Sequence, residues 1–311
     1  MSGPSSIRPA TRGDAPEIVD LLNACDVAEI GRPDSTAEDL ESDWSMQGFE
    51  LGRDAWVADG ARGLLGYAYA GDQFRTGELE ADVWVLPDHD EPELAGRLLG
   101  LAERRANELA DERGYEEPAL DVFCMSGNLA KRELLRRRGY EVVRTVHRMA
   151  AELRGDELPA PVPQGLRIAA FRPGTDERTM FATMHEAFAD HFRQSDEPFE
   201  AWKTRLVAHP DFSPDLWWLA WDGAEAAGAA IAYDHGHLGW IQGLGVRRPW
   251  RRRGLGGALL AHALAAFAAR GQLRVELAVD TEGATRPQGL YERAGMRVCA
   301  AYELFQKRLR A

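Results

Sequence analysis

The chain has 311 residues, a formal net charge of −13 at pH 7 and a hydrophobic content of 45%. This length is enough for two ordinary domains, and the acidity argues against nucleic acid as a general partner. Three cysteines, Cys25, Cys124 and Cys299, lie far apart without paired spacing, which favours a reducing compartment. The sequence shows neither an apolar leader nor a run long enough to span a membrane. We therefore expect a cytoplasmic protein with no membrane partner.

The first half of the chain alternates short strand patterns with helix patterns. Pro87 stops one strand, and Gly114 and Gly139 follow two helices, where glycine readily adopts the left-handed backbone of a helix end. The predicted elements are a strand at 7–9, a helix at 15–25, a hairpin at 55–70, a strand at 83–86, a helix at 91–113, a strand at 120–125 and a helix at 128–138.

The second half repeats this order from a strand at 166–168. Three pairs of prolines or glycines are each separated by about 160 residues, which indicates two copies of one domain. The pairs are Pro87 with Pro249, Gly60 with Gly223, and Gly139 with Gly295. Alternating prolines between the copies indicate a semi-rigid linker. We predict a first domain over 1–153, a linker over 154–165 and a second domain over 166–311.

A basic, glycine-rich turn joins a strand to a helix between residues 240 and 271. The strand runs to Val246 and is stopped by Pro249, and the helix begins near Leu255. Glycines at a helix start let phosphates approach free amides closely. A dinucleotide fingerprint does not fit, because its third glycine would fall on Leu259. The alternative is a surface connection with solvated arginines.

The order R-x-x-G-x-G, from Arg251 to Gly256, resembles the acetyl-CoA pyrophosphate loop of the GNAT acetyltransferase superfamily. Downstream, LYERAGM resembles the family's L-Y-x-x-x-G-F segment, with Met296 where phenylalanine is commoner. The resemblance implies the α+β class, with two tandem GNAT-like domains, each a mixed, mostly antiparallel sheet flanked by helices. It also implies that acetyl-CoA, the co-substrate, contacts Leu244, Gly245, Val246, Arg251, Arg252, Arg253, Gly254, Leu255, Gly256 and Gly257.

Tyr291 lies in the LYERAGM segment, and the resemblance implies that its hydroxyl protonates the departing CoA thiolate. A thiol has a pKa of about 8.5 and a phenol of about 10, so a neutral phenol can donate to a developing thiolate. The alternative is a core tyrosine with a satisfied hydroxyl. His237 is a second catalytic candidate, as a proton relay, although a solvated D-H-G-H turn also explains it.

A predicted helix, MHEAFADHF, borders the acceptor site by the same resemblance, and it carries His185, Glu186, Asp190 and His191. The polar surface of an ordinary helix also explains them, and more simply. His185 and His191 are six residues apart, which does not match the H-E-x-x-H zinc motif, so no metal is expected.

The first copy differs chemically from the second. Its turn is acidic, with Asp88, Asp90, Glu91 and Glu93. Pro92 and Leu94 replace the two loop glycines, and Leu135 falls at the position of Tyr291. Acidic side chains would repel a pyrophosphate, so we predict that the first copy binds no CoA and serves as a scaffold or a wall of the acceptor site.

The sequence therefore predicts an N-acetyltransferase that moves an acetyl group from acetyl-CoA to a primary amine of a small molecule, by direct attack in a ternary complex. Acetylation of a protein or peptide amine is one alternative. A non-catalytic acyl-CoA-binding regulator is another, and such a regulator would need the loop but not Tyr291. The two-copy order resembles two-domain actinobacterial acetyltransferases, a group that includes mycothiol synthases. We expect a monomer or homodimer.

Overall fold

The structure is a computed structural model that describes residues 5–45, 48–61, 63–73, 75–87, 89, 91, 93–192, 197–207, 209–283 and 287–309. Its contacts divide the chain into two compact units. Unit 1 comprises Met1–Thr145 and Ala301–Ala311, and unit 2 comprises Val146–Ala300.

The first part of the chain alternates helices with the strands of one sheet. Its elements are β1 (Ser6–Pro9), α1 (Ala15–Ile30), α2 (Ala37–Trp44), α3 (Leu51–Asp54), β2 (Ala55–Gly60), β3 (Gly63–Gly71), β4 (Glu78–Val85), α4 (Leu94–Arg113), β5 (Ala119–Met125) and α5 (Leu129–Arg137).

The remaining elements repeat that pattern. They are β6 (Glu141–Glu152), β7 (Leu166–Ala170), α6 (Glu177–Ala187), α7 (Phe199–Val207), β8 (Trp217–Asp222), β9 (Glu225–Asp234), β10 (Gly239–Val246), α8 (Leu255–Ala269), β11 (Arg274–Asp280), α9 (Gln288–Arg293) and β12 (Arg297–Arg308).

The sheet of unit 1 has the order β1-β2-β3-β4-β5-β12. Neighbouring strands are antiparallel except β4 and β5, which pair in parallel over residues 78–80 and 119–121. Helix α4 buries Leu94, Leu98 and Ala102 completely against β3 and β4, because these residues share one face at helical spacing. The helix ends at Gly114, whose φ is 67°.

The sheet of unit 2 has the order β6-β11-β10-β9-β8-β7, with β10 and β11 as its parallel pair. Helix α8 packs on β9 and β10 and buries Leu259 and Phe267 completely. Full burial of each such side chain stabilises the fold by about 1.5–3 kcal/mol. The predicted α+β class with two mostly antiparallel copies is confirmed.

The unit boundaries differ from the domain limits expected from the proline pattern. Residues 146–152 of β6 pair with β11 in unit 2, and residues 302–308 of β12 pair with β5 in unit 1. Unit 2 therefore contains most of β6, which the predicted limits at 153 and 166 assign to the first domain. Unit 1 contains most of β12, which the same limits assign to the second domain. The proline-rich segment 154–165 follows the end of β6. It does not coincide with the boundary between the two units.

The same backbone turn follows α5 and α9, and it supports the alignment of the two copies. Gly139 and Gly295 have φ values of 83° and 88°. The amide of Tyr140 donates to the carbonyl of Leu135 at 3.1 Å, and the amide of Met296 donates to that of Tyr291 at 3.0 Å. Leu135 thus occupies the position of Tyr291, and its apolar side chain is completely buried.

Candidate active site

The candidate site begins where β10 and β11 separate. They pair only over residues 239–241 and 275–277. Immediately afterwards the β9–β10 register shifts between Ile241 and Gly243, so Gln242 forms a bulge. Within the described part of the chain, residues 243–246 pair with β9 alone. One edge of the strand end that includes Leu244, Gly245 and Val246 is therefore open to a ligand.

The end of α6 packs closely on this strand end. A Cβ on Gly245 would lie 2.7 Å from the Cβ of Ala187 and 3.0 Å from the Phe188 ring. A Cβ on Gly243 would lie 2.6 Å from the Cε of Met184. A side chain at position 245 would therefore push the end of α6 away from the strand, whereas the flexible end of Met184 could move aside for one at position 243.

The start of α8 provides an anion site. Arg252 and Gly254 both have positive φ values, 60° and 85°, and they turn the chain into the helix. The amides of Leu255, Gly256 and Gly257 have no backbone acceptor within the described ranges. These amides lie at the positive end of the helix dipole, which favours phosphate oxygens.

The arginines of the loop divide into two groups. The Arg251 guanidinium donates to the carbonyls of Val246 and Ala187, both at 2.9 Å, and pairs with Asp190 at 3.2 Å. Arg251 thus fastens the strand end to the turn after α6, a positioning contact that differs from the predicted phosphate contact. Arg252 is exposed, and Arg253 lies 3.8 Å from an Asp222 oxygen, so these two are better placed for an anion.

Tyr291 lies on α9, next to this helix start. A Cβ on Gly256 would lie 3.5 Å from Leu290, which places α9 against the first turn of α8. The Tyr291 ring is buried in the core of unit 2, with 7% of its surface exposed. Burial raises the pKa of Tyr291 to about 12, so the hydroxyl keeps its proton at neutral pH. That hydroxyl makes no hydrogen bond to another described residue.

In the structure, His191 lies near the candidate site, whereas His237 lies far from it. Helix α6 ends at Ala187, so His191 lies in the following turn rather than on the helix predicted there. Its ring centroid is 4.4 Å from that of Phe188, the residue that packs on Gly245. Burial lowers the pKa of His191, with Asp280 opposing the shift and Arg251 adding to it.

His237 is exposed in the turn before β10, at the opposite end of the strand from Val246. The separation along the strand is roughly 20 Å, at about 3.3 Å per residue. This distance argues against the proton relay predicted at His237.

The corresponding part of unit 1 is built differently. Strand β4 pairs with β3 without a register shift, so it lacks the bulge of β10. The Glu91 carboxylate accepts hydrogen bonds from the amide and hydroxyl of Ser5 before α4 begins. His89 fills the turn through contacts with the carbonyls of Leu86 and Glu91. The other residues of this comparison, Asp88, Asp90 and Pro92, lie outside the described residues.

Two kinds of feature are absent from the described residues. They contain no group of three His, Cys, Asp or Glu side chains arranged to hold a metal ion. None of the described helices combines the length and the apolar character needed to cross a membrane.

The chain is similar to known proteins over most of its length. The acetyltransferase (GNAT) family profile matches residues 181–296. A mycothiol acetyltransferase from Geodermatophilus obscurus is 33% identical over 290 residues, covering 89% of each chain. A solved GCN5-related N-acetyltransferase from Sphaerobacter thermophilus is 29% identical, with a TM-score of 0.86 over 99% of this chain and 96% of that one. A tandem GNAT protein from the clavulanic acid biosynthesis pathway shares the fold, at 13% identity and a TM-score of 0.72 over 99% of both chains.

Proposed function

This chain belongs to the GNAT family of acetyltransferases, and from that premise we propose that unit 2 transfers an acetyl group from acetyl-CoA to a primary amine of a small molecule. The observation that carries the proposal is the position of α9, the helix that holds Tyr291, against the first turn of α8 with its open amides. Helix α8 can then bind the pyrophosphate of CoA, while Tyr291 on the neighbouring helix α9 acts at the thioester. The name of the Geodermatophilus relative, a mycothiol acetyltransferase, supports a small-molecule acceptor.

The proposed reaction is a single displacement. The amine nitrogen attacks the thioester carbonyl carbon, the new C–N bond forms, and the C–S bond breaks. Tyr291 gives its proton to the departing sulfur and regains one from solvent. In this proposal, amides on the open edge of residues 244–246 stabilise negative charge on the carbonyl oxygen.

We assign His191 as the group that takes the proton from the acceptor amine. A lysine-like amine has a pKa of about 10.4, so it must lose a proton before it attacks. A histidine whose pKa is lowered by burial is neutral at pH 7 and can accept that proton. The support for this assignment is the tilted ring contact of His191 with Phe188, whose own ring lies close to Gly245 at the strand end.

The test of function is release of CoA thiol from acetyl-CoA by the full chain, across a panel of aminoglycosides, amino-sugar thiols, polyamines and peptides. We expect turnover with at least one small-molecule amine and none with the peptides. Turnover with peptides alone would overturn the small-molecule assignment, and no turnover despite acetyl-CoA binding would favour a regulator.

The His191 assignment predicts a particular pH profile. Below its lowered pKa the ring is protonated and cannot accept a proton, so kcat/KM should fall as pH drops below 6.5. His191→Gln should lower kcat/KM at neutral pH by about 10²-fold and remove this acid limb. His237→Gln is the matched control, because His237 lies at the far end of β10. Retention of the acid limb in His191→Gln would refute the role.

We also predict one acetyl-CoA per chain. Unit 1 lacks the bulge, has a leucine at the position of Tyr291, and carries Glu91 and Glu93 before its long helix. Titration calorimetry and native mass spectrometry should both give a stoichiometry of one. Two bound molecules per chain would contradict this prediction.

A further inference from the structure

Unit 1 contains a large cavity of its own. Its volume is about 1050 Å³, close to the upper end of the usual range for small-molecule sites, about 300–1,000 Å³. It opens where β4 and β5 separate beyond their short parallel pairing. Helices α1 and α2 form one side, and the start of α5 forms another. Every described residue that lines it belongs to unit 1.

One wall of the cavity is aromatic. The ring of Trp84 stacks on the rings of Tyr67 and Tyr69, with centroid separations of 5.8 and 6.0 Å. The indole N–H of Trp44 donates to the Tyr67 hydroxyl at 3.0 Å, which holds this ring in place. The wall therefore offers fixed π faces, and such faces attract cations and apolar rings.

The cavity is also strongly acidic. Its described lining includes two cations, Lys131 and Arg137, and six carboxylates, Asp26, Glu29, Asp39, Asp43, Asp82 and Glu133. Lys131 pairs with Asp82, and Arg137 lies 3.9 Å from Glu133. The other four carboxylates have no ion pair with a described cation.

Three of those four carboxylates accept hydrogen bonds from neutral groups only. Ser35, Asn128 and Thr36 donate to Asp26, Glu29 and Asp39, at 2.8, 2.6 and 2.6 Å. Such hydrogen bonds fix the carboxylates in place, but they leave the negative charge uncompensated.

The carboxylate of Asp43 and the hydroxyl of Tyr69 also line the cavity, and neither makes a hydrogen bond to a described residue. The side chain of Asp43 is exposed, but partial desolvation by the cavity walls, with the charge of Asp39, raises its pKa to about 6, so most of the group is still ionised at pH 7. Burial and the carboxylates of Glu80 and Asp82 raise the pKa of Tyr69 well above 10, so this hydroxyl stays protonated. Both groups are therefore available to a ligand.

We propose that this cavity of unit 1 binds a small organic cation, a protonated or quaternary amine attached to a ring or another apolar body. The four uncompensated carboxylates attract the cationic head, and the aromatic wall packs on the apolar part. A metal ion is a poor occupant, because the described side chains do not converge as metal ligands. The site uses only residues of unit 1, so it stands independently of the catalytic assignments in unit 2.

The test compares three probes of similar shape and different charge on the full chain: benzyltrimethylammonium, benzyl alcohol and benzoate. By titration calorimetry we expect one benzyltrimethylammonium per chain, binding at least about tenfold more tightly than benzyl alcohol. Benzoate should not bind. Equal affinity for the cation and the neutral probe, or tighter binding of benzoate, would overturn the proposal.

Two variants of cavity residues test where the cation binds. Asp43→Asn should weaken benzyltrimethylammonium binding about fivefold or more, because it removes an uncompensated charge without breaking an internal hydrogen bond. Glu38→Gln is its control, on the same helix but outside the cavity lining. Tyr69→Leu, with folding checked by circular dichroism, should weaken binding further by removing a wall ring.

Saturating acetyl-CoA tests whether this site is distinct from the candidate active site of unit 2. The assignment is supported if saturating acetyl-CoA leaves benzyltrimethylammonium binding unchanged and Asp43→Asn reduces it. Competition by acetyl-CoA, or full affinity in both cavity variants, would reject it.

Discussion

Gly256→Glu is expected to weaken acetyl-CoA binding by about 10²-fold or more while the protein stays folded. A Cβ at this position would lie 3.5 Å from Leu290, an ordinary contact, so the side chain can be accommodated. An acidic residue in the first turn of a helix also stabilises that helix by about 0.3–1 kcal/mol. The same charge lies where the pyrophosphate is proposed to bind, and at about 4 Å two like charges repel by roughly 1–4 kcal/mol.

Gly256→Gln is the control for this change, because it has the same shape without the charge. Affinity should be measured by calorimetry, with thermal unfolding as the check on folding. We expect glutamine to retain most of the affinity that glutamate loses. A folded Gly256→Glu protein with unchanged affinity would show that the phosphates bind elsewhere.

Tyr291→Phe should lower kcat by about 10²–10⁴-fold, the usual contribution of a positioned acid, with little change in acetyl-CoA affinity. The phenyl ring keeps its place in the core, and the lost hydroxyl makes no hydrogen bond to a described residue, so folding should be unaffected. Because the pKa of Tyr291 is raised to about 12, the group remains a proton donor throughout the neutral and mildly alkaline range.

Tyr233→Phe is the matched control in unit 2. The Tyr233 hydroxyl donates to the carbonyl of Leu206 at 3.1 Å, so its removal costs a structural hydrogen bond and leaves the cleft intact. Stopped-flow measurements must first establish that chemistry limits turnover. If it does, and Tyr291→Phe then retains the kcat of the unaltered protein, the tyrosine is not the acid.

Local features of the site could be predicted from the sequence because they depend on neighbouring residues. The glycines at the start of α8 and the tyrosine of LYERAGM fall at the positions expected from their motifs. The role of Arg251 could not be predicted, because its partners Ala187 and Asp190 lie more than 60 residues earlier in the chain. The placement of His191 likewise depends on where α6 ends and on its ring contact with Phe188.

The cavity of unit 1 could not be predicted from local patterns either. Its four uncompensated carboxylates come from α1 and α2, its aromatic wall from β3 and β4, and its two cations from α5. Only the fold brings these elements together. Beside the phosphate loop of the second copy, the sequence of the first copy looks degenerate. Its acidic and aromatic residues suit a cation rather than the anionic pyrophosphate.

The position of β12 has a consequence for synthesis on the ribosome. Gln306 on β12 donates to Asp121 on β5, a partner 185 residues earlier, so the edge of the first sheet is covered by the last strand of the chain. Unit 1 is translated first, yet its β5 edge stays unpaired until almost all of the chain has emerged. Newly made protein must carry this unpaired edge throughout the synthesis of unit 2, and unpaired strand edges favour aggregation. A ribosome that stops after Ala300 releases a chain in which unit 1 lacks that strand.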